Sequence, residues 1–229
     1  MPDNPRPYLL WLDLETTGLD PAQNRILEVG AILTNSDLRE IASYHEILYC
    51  PRERIDALIT SDYVHEMHVD NGLLAACTAA TATLPDVTAG LLELLGYVPQ
   101  ARPVTLAGSG VSHFDLLWLR EWMPRVAEAL TYYTVDIGVV RRYLRNVVGL
   151  PEPDREPIPH RALADARLHL DEARAYRDLL RESHDIANGR EDGHVEALEA
   201  IAENTREVAG SLARIETAFS LGRLTVEGR

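Results

Sequence analysis

The 229-residue chain contains no lysine, and its 22 basic residues are all arginines, set against 36 acidic residues for a net charge of −14. Proteins that hold long nucleic acids through many phosphates usually carry a basic stripe. This chain has only short basic clusters, such as Arg141, Arg142 and Arg145, for which a solvated helix face is the favoured interpretation over a phosphate site. Any nucleic-acid substrate is therefore expected to be held locally.

Cysteines and long apolar segments are also scarce. Cys50 and Cys77 are the only cysteines and form no motif, so we expect reduced, packed thiols rather than a disulfide framework. No apolar run approaches the length of a membrane span, and residues 1–6 lack the basic and apolar regions of a signal peptide. These absences predict a cytoplasmic protein.

Apolar runs and turn signals predict the element order β-β-β-α-α-β-α-β-α-α, which argues for an α/β fold with a mixed sheet flanked by helices. Strands are predicted from residue 8 to the turn at Gly18 and at 25–34, 43–49, 103–108 and 132–136; helices at 73–82, 85–96, 113–122, 137–147 and 161–181, with a possible short one within 51–61. This domain is predicted to span residues 1–185. Residues 186–229 are predicted to form a helical C-terminal extension that serves as a packing or self-association arm.

Two carboxylates stand at the end of the first predicted strand. Asp13 and Glu15 follow an unbroken apolar run and lie two residues apart, so in an extended chain they point to the same side. Carboxylates at that spacing repel each other unless a cation lies between them, and hard divalent ions such as Mg²⁺ prefer oxygen ligands. Two solvated acids at a surface strand end are the alternative, which the buried run before them disfavours.

Three further residues could join these acids. Asp115 follows the predicted strand at 103–108, and Asp165 lies in the last predicted helix, five residues after His160. His113, which neighbours Asp115, and His169, four residues beyond Asp165, are the alternatives to His160 as a functional histidine. Each signal is weak alone, and the combination in this order is strong.

The combination resembles a known family. The segments 13–19 (Asp-Leu-Glu-Thr-Thr-Gly-Leu), 113–115 (His-Phe-Asp) and 160–166 (His-Arg-Ala-Leu-Ala-Asp-Ala) resemble the three motifs of the DEDDh 3′→5′ exonucleases. The resemblance covers about residues 8–182, is nearest to oligoribonuclease, and implies a ribonuclease H-like fold with a five-stranded sheet.

The resemblance also implies a catalytic centre. Two divalent cations, Mg²⁺ or Mn²⁺, would lie about 3.5–4 Å apart. Asp13, Glu15 and Asp165 would hold one of them, with Asp13 bridging, and Asp115 would support the second. His160 would act as general base on the attacking water, because an imidazole can take up a proton near neutral pH.

Four substrate contacts follow from the same resemblance. Leu19 would wedge between terminal bases, and Tyr63 would stack on a base, with a half-buried packing aromatic as its alternative. His68 would meet a phosphate or cap a helix. Tyr132 would complete the site of a second subunit, which predicts a homodimer.

The loop before Asp115 departs from the oligoribonuclease pattern. Residues 108–112 read Gly-Ser-Gly-Val-Ser where oligoribonucleases have Gly-Asn-Ser, and Phe114 resembles the proofreading branch. We therefore expect a metal-dependent 3′→5′ exonuclease that hydrolyses short single-stranded oligoribonucleotides to nucleoside 5′-monophosphates. The alternatives are a DNA-directed, proofreading-like 3′→5′ exonuclease and a catalytically silent ribonuclease H-like interaction module.

Overall fold

The computed structural model describes residues 6–100, 102–150, 152 and 159–187. The chain divides into two units, residues 1–177 and 178–229. Of the second unit, residues 178–187 are described, and they form the end of the last helix. Most of the loop at 151–159 and nearly all of the predicted extension at 186–229 lie outside the described residues, so the predicted domain boundary at residue 185 stays a prediction.

Five strands form one mixed sheet. They are β1 (Tyr8–Thr16), β2 (Ile26–Thr34), β3 (Glu40–Ile47), β4 (Val104–Gly108) and β5 (Thr134–Asp136), in the order β3-β2-β1-β4-β5. β1, β2 and β3 pair antiparallel, whereas β4 pairs parallel with β1, and β5 parallel with β4. The predicted mixed five-stranded sheet is confirmed.

Eight α-helices flank the sheet in the described chain. They are α1 (Arg52–Leu58), α2 (Asp62–Asp70), α3 (Leu73–Ala79), α4 (Leu84–Leu95), α5 (Asp115–Trp122), α6 (Pro124–Glu128), α7 (Ile137–Tyr143) and α8 (Ala162–Ala187), and a π-helical turn at Leu144–Val148 follows α7. Helices α2 and α6 were not predicted. Every described helix is too short or too polar to cross a membrane.

One face of the sheet packs on α4 and α5. Leu10, Leu12 and Leu14 alternate along β1 and pack in one apolar cluster with Leu91 and Trp118. A capping box between Thr83 and Asp86 fixes the start of α4. A proline also lies in the first turn of this helix, where proline is favoured. This side of the sheet is a conventional apolar core.

The opposite face of β1 and β2 carries the carboxylates and receives α8. Gly30 is the partner of Asp13 in the β1–β2 register, so both positions lie on this face. A Cβ atom on Gly30 would lie 2.1 Å from the backbone nitrogen of Leu163, and only glycine therefore lets the first turn of α8 approach β2 so closely. Buried residues Ala162, Ala166 and Leu170 of α8 complete the contact.

Candidate active site

The first two site residues project from β1 as the alternation predicts. Asp13 is half-buried and Glu15 is 7% exposed, and both lie on the sheet face that packs against α8. The apolar strand therefore holds two carboxylates at fixed positions next to the first turn of that helix.

Asp115 reaches the same region from another part of the sheet. Because β4 runs parallel to β1, with Trp11 paired to Ala107, both strands end at the same edge of the sheet. The chain leaves β4 through a short loop and starts α5 at Asp115, which is buried. Burial raises the pKa of Asp115 to about 7, although the nearby backbone N–H groups of Asp115 and Leu14 oppose the shift.

The first turn of helix α8 and the residues just before it supply the last two predicted site residues. Asp165, in the first turn of α8, is buried, and His160 stands just before the helix. Glu15, His160 and Asp165 each offer an atom within 4.8 Å of the others, a spacing at which one metal ion could bind all three. The structure thus brings the five predicted residues into one region from three segments of the chain.

The carboxylates in this region hold their protons unusually tightly. Burial raises the pKa of Asp13 well above its usual value, and the charges of Asp115, Glu15 and Asp165 raise it further. The pKa of Glu15 rises to about 8 through burial and the charges of Asp165 and Glu28. The pKa of Asp165 rises to about 7, with burial as the main cause and the charge of Glu28 as the second. Among the described residues, the charge of Arg161 lowers the pKa of Glu15 but does not offset these effects.

The donor set fits a hard divalent cation. Among the residues that the structure describes, buried Asp115 Oδ1 and Asp165 Oδ1 find no hydrogen-bond partner, and an unpaired buried carboxylate oxygen is costly. Carboxylate oxygens are the ligands that Mg²⁺ and Mn²⁺ prefer, and a bound cation would relieve both the repulsion and the missing hydrogen bonds. Asp13, Glu15, Asp115 and Asp165 are therefore suited to metal binding.

Sequence reasoning missed Glu28, a carboxylate on β2 opposite Glu15. Its side chain is completely buried and accepts three hydrogen bonds of 2.9–3.1 Å from the guanidinium of Arg161 and one of 3.1 Å from Ala162 N. His45 Nε2 lies 2.6 Å from its Oε1. The signal was present, since Glu28 is an acid inside an otherwise apolar strand and an arginine follows His160 directly.

The four predicted substrate contacts fall into two groups. Leu19, Tyr63 and Tyr132 are 82%, 69% and 90% exposed, so each side chain is available to a ligand or a second chain. Tyr63 lines a groove of about 460 Å³ together with His160. His68 instead is buried in α2 and donates from Nε2 to the carbonyl oxygen of Thr16 at 3.1 Å, which supports the strand end beside Glu15. The roles of all four in substrate binding stay predictions.

The alternative histidines lie outside the group of Glu15, His160 and Asp165, and two arginines of the basic cluster form contacts within the protein. His113 is exposed and contacts Ser112. Neither His113 nor His169 belongs to the group of three residues that could share one metal ion. Arg141 donates to Ser109 Oγ at 2.8 Å and pairs with Glu172, and Arg145 pairs with Glu152. These contacts agree with a structural role for the arginines.

Comparison with known proteins connects this site to a family. The model of the exonuclease family matches residues 10–80, which include most of β1, with Asp13 and Glu15. An oligoribonuclease of Corynebacterium diphtheriae is 33% identical over 181 residues, which cover 77% of this chain and 83% of the relative. A probable oligoribonuclease of Schizosaccharomyces pombe is 29% identical over 172 residues, which cover 74% and 67% of the two chains.

Among solved structures, exonuclease I of E. coli in complex with a 5cy-dT13 oligonucleotide is similar, with a TM-score of 0.56 and 18% sequence identity. The match covers 74% of this chain and 40% of that one, so this chain spans less than half the length of exonuclease I. The likeness supports the ribonuclease H-like fold.

Proposed function

Because the chain belongs to the DEDDh 3′→5′ exonucleases, and among them to the oligoribonucleases, we propose that it hydrolyses short single-stranded RNA to nucleoside 5′-monophosphates in a metal-dependent reaction. The convergence of four carboxylates and one imidazole at one edge of the sheet carries this proposal. The net charge of −14 favours short substrates, because a long strand would meet an acidic surface along its length.

We assign Asp13, Glu15 and Asp165 to one divalent cation and Asp115 to a second, with Mg²⁺ or Mn²⁺ as the physiological ion. When bound, two such ions would activate a water molecule and offset the charge on the phosphoryl and leaving oxygens. The protein's own contribution is to fix the carboxylates on β1, α5 and α8 before substrate arrives, so that little reorganisation accompanies the reaction.

His160 is the proposed general base. It lies within 4.8 Å of possible metal-ligand atoms of Glu15 and Asp165 and also borders the open groove, so it can contact water and substrate together. In the proposed reaction its imidazole takes the proton from the attacking water, a role that typically contributes 10²–10⁴-fold to the rate.

The exposed aromatic residues are the proposed substrate contacts. Tyr63 would stack on a base next to His160, which is worth about 1–3 kcal/mol, and Leu19 would wedge between bases. His68 would contribute indirectly, by supporting the end of β1 through its hydrogen bond to Thr16. Tyr132 would reach the site of a second subunit in a homodimer. The proposal retains the cytoplasmic location predicted from the sequence.

DNA is the second candidate substrate. The structurally similar exonuclease I binds a dT13 oligonucleotide, and residues 108–112 depart from the oligoribonuclease pattern. The chemistry would be unchanged, since the carboxylates and His160 act on the phosphodiester and not on the sugar.

Cleavage of 5′-labelled RNAs of two to five nucleotides, beside a long single-stranded RNA and a matched DNA, tests the proposal. Each reaction is run with Mn²⁺ and with chelator, and the Asp13→Asn variant controls for contaminating nuclease. Preference for the shortest RNAs supports the proposal, equal or faster cleavage of DNA supports the second candidate, and no cleavage with metal present favours a silent module.

A mixing experiment tests the role of Tyr132. If Tyr132 serves the partner's site, mixing inactive Asp13→Ala with Tyr132→Ala protein creates heterodimers in which one of the two sites is intact. Activity should then exceed that of either variant alone. If Tyr132 serves its own site, both sites of the heterodimer are defective and mixing restores nothing.

A further inference from the structure

His160 adopts an unusual backbone conformation. Its φ is +51°, in the left-handed region that non-glycine residues avoid, because Cβ then approaches the carbonyl oxygen. Such a conformation persists only where surrounding contacts impose it, and it is often found at functional sites. The contacts of residues 160–162 should therefore reveal what imposes it.

Each of the three residues is held by hydrogen bonds of its own. The side-chain nitrogen Nδ2 of Asn71 donates to the carbonyl oxygen of His160 at 2.5 Å. The guanidinium of Arg161 lies in a forked contact on Glu28 and also donates to the carbonyl oxygen of Asn71 at 3.4 Å. Ala162 N donates to Glu28 Oε2 at 3.1 Å.

Asn71 is itself fixed in place. Its Oδ1 accepts from Leu73 N at 3.0 Å, at the turn between α2 and α3. The side-chain amide therefore uses its oxygen to order its own turn and its nitrogen to hold His160, 89 residues further along the chain. Glu28 lies on β2, where Gly30 leaves no space for the first turn of α8 to shift inward.

We propose that Asn71, together with the Glu28–Arg161 pair, positions the His160 imidazole against the metal-binding carboxylates. This inference rests on the proposed function, in which His160 takes a proton from water. Asn71 touches no reacting atom in this scheme. It acts through His160, and its removal should lower turnover without changing metal binding.

The test is a double-mutant cycle of Asn71→Ser and His160→Ala. Serine removes the amide donor but keeps an oxygen that can cap Leu73 N. Asn35→Ser is the matched control, because Asn35 Oδ1 also accepts from two backbone N–H groups in a turn, those of Asp37 and Arg39. Activity is measured on whichever oligonucleotide the wild-type protein cleaves, and Mn²⁺ binding by calorimetry.

Asn71→Ser should lower kcat on the order of 10–100-fold, the cost of a small misplacement of a catalytic group. KM and Mn²⁺ affinity should stay within about twofold of wild type, and in the His160→Ala background the second substitution should cost less than about twofold. An equal loss in both backgrounds, or a parallel loss of Mn²⁺ affinity, would overturn the proposal. Arg161→Lys, which cannot form the forked contact, repeats the test at a second position.

A readout without substrate separates this proposal from the proposed function. The backbone order parameter of the His160 amide, measured by NMR relaxation, should fall in Asn71→Ser from the rigid range near 0.85 toward the flexible range below 0.6. It should not fall in Asn35→Ser. If the wild-type protein cleaves no nucleic acid, the proposed function fails; if the order parameter is unchanged, the positioning role fails.

Discussion

Glu15 and Glu28 face each other across β1 and β2, one 7% exposed and the other completely buried, yet their pKa values shift in opposite directions. Burial and the charges of Asp165 and Glu28 raise the pKa of Glu15 to about 8. Burial opposes the charged form of Glu28 as well, but hydrogen bonds from Arg161, His45 and Ala162 N outweigh it and lower the pKa of Glu28. The same side chain thus has opposite properties on neighbouring strands.

The difference teaches that partners, and not depth, decide whether a buried carboxyl group is held in its charged form or keeps its proton. Glu28 is surrounded by donors, so it fixes the start of α8. Glu15 has other carboxylates around it, and its contact with His68, 3.9 Å away, adds little because burial lowers the pKa of that histidine. Among the described residues, burial and the carboxylates around Glu15 outweigh the opposing charge of Arg161, so this region is suited to bind a cation from solution.

The largest expected effect comes from removing the charge of Glu15. Glu15→Gln should lower turnover by more than about 100-fold, because mutating even an outer-shell partner of a metal ligand typically costs 10–100-fold. Without metal, its melting temperature should equal or exceed that of the wild type, since glutamine cannot ionise and needs no proton on folding. Turnover and thermal unfolding in chelator measure both effects. A variant that keeps its activity, or that melts much earlier without metal, would contradict the interpretation.

The same substitution on the neighbouring strand should act on stability. Glu28→Gln should lower the free energy of unfolding by about 2–3 kcal/mol, less than the 3–5 kcal/mol typical of a broken buried pair, because the Arg161 side chain is 31% exposed. Urea unfolding measures the loss. Glu40→Gln, which breaks the more exposed pair with Arg167, is the control and should cost less than about 1 kcal/mol. Equal costs for the two variants would remove the distinction.

The raised pKa values predict a pH dependence of stability that bound metal should reduce. The carboxyls of Glu15, Asp115 and Asp165, with pKa values of about 8, 7 and 7, hold protons in the folded state that the unfolded chain has already released. Stability without metal should therefore fall as the pH rises from about 4 to about 8. Each kcal/mol lost lowers the melting temperature by about 2–4 °C.

Melting curves from pH 5 to 8.5, in chelator and in Mg²⁺, test this dependence. Mg²⁺ should reduce the decline, because metal binding displaces the protons and favours the folded state. Glu15→Gln should show a shallower decline in chelator than the wild type. Stability that rises with pH in chelator would show that these carboxyls are already compensated.

The smallest effect should come from His45, the third partner of Glu28. His45 is partly exposed, and Arg161 together with Ala162 N already satisfies both oxygens of Glu28. His45→Ala should therefore cost less than about 1 kcal/mol in urea unfolding. A cost as large as that of Glu28→Gln would show that His45 on β3, and not Arg161, is the principal partner of Glu28.

The sequence predicted those parts of the fold that depend on local pattern. The apolar run before Asp13 became a buried strand, and Pro124 separates α5 from α6 as expected of a residue that cannot continue a helix. The third strand begins at Glu40 and not at residue 43, because its pairing with β2 extends back to the polar residue Glu40, which the apolar pattern does not mark. Helix α2 was missed for a similar reason, since its residues are mostly polar.

The site residues could be predicted where sequence spacing and family motifs mark them. They could not be predicted where contacts between distant parts of the chain hold them in place. Asp13, Glu15, Asp115, His160 and Asp165 were predicted, and the structure gathers them. The hydrogen bond from Asn71 to His160 joins residues 89 positions apart. The paired hydrogen bonds from Arg161 to Glu28 join residues 133 positions apart. A pattern confined to a short window cannot show such pairs.

The docking of α8 on β2 also bears on how the protein is made. Glu28 and Ala162 are 134 residues apart, and at 5–20 residues per second a ribosome needs on the order of 10 s to synthesise that interval. During that time the growing chain carries Asp13 and Glu15 but not His160 or Asp165. Until then the nascent chain lacks two of the five residues of the candidate site, so the site can assemble only late in synthesis.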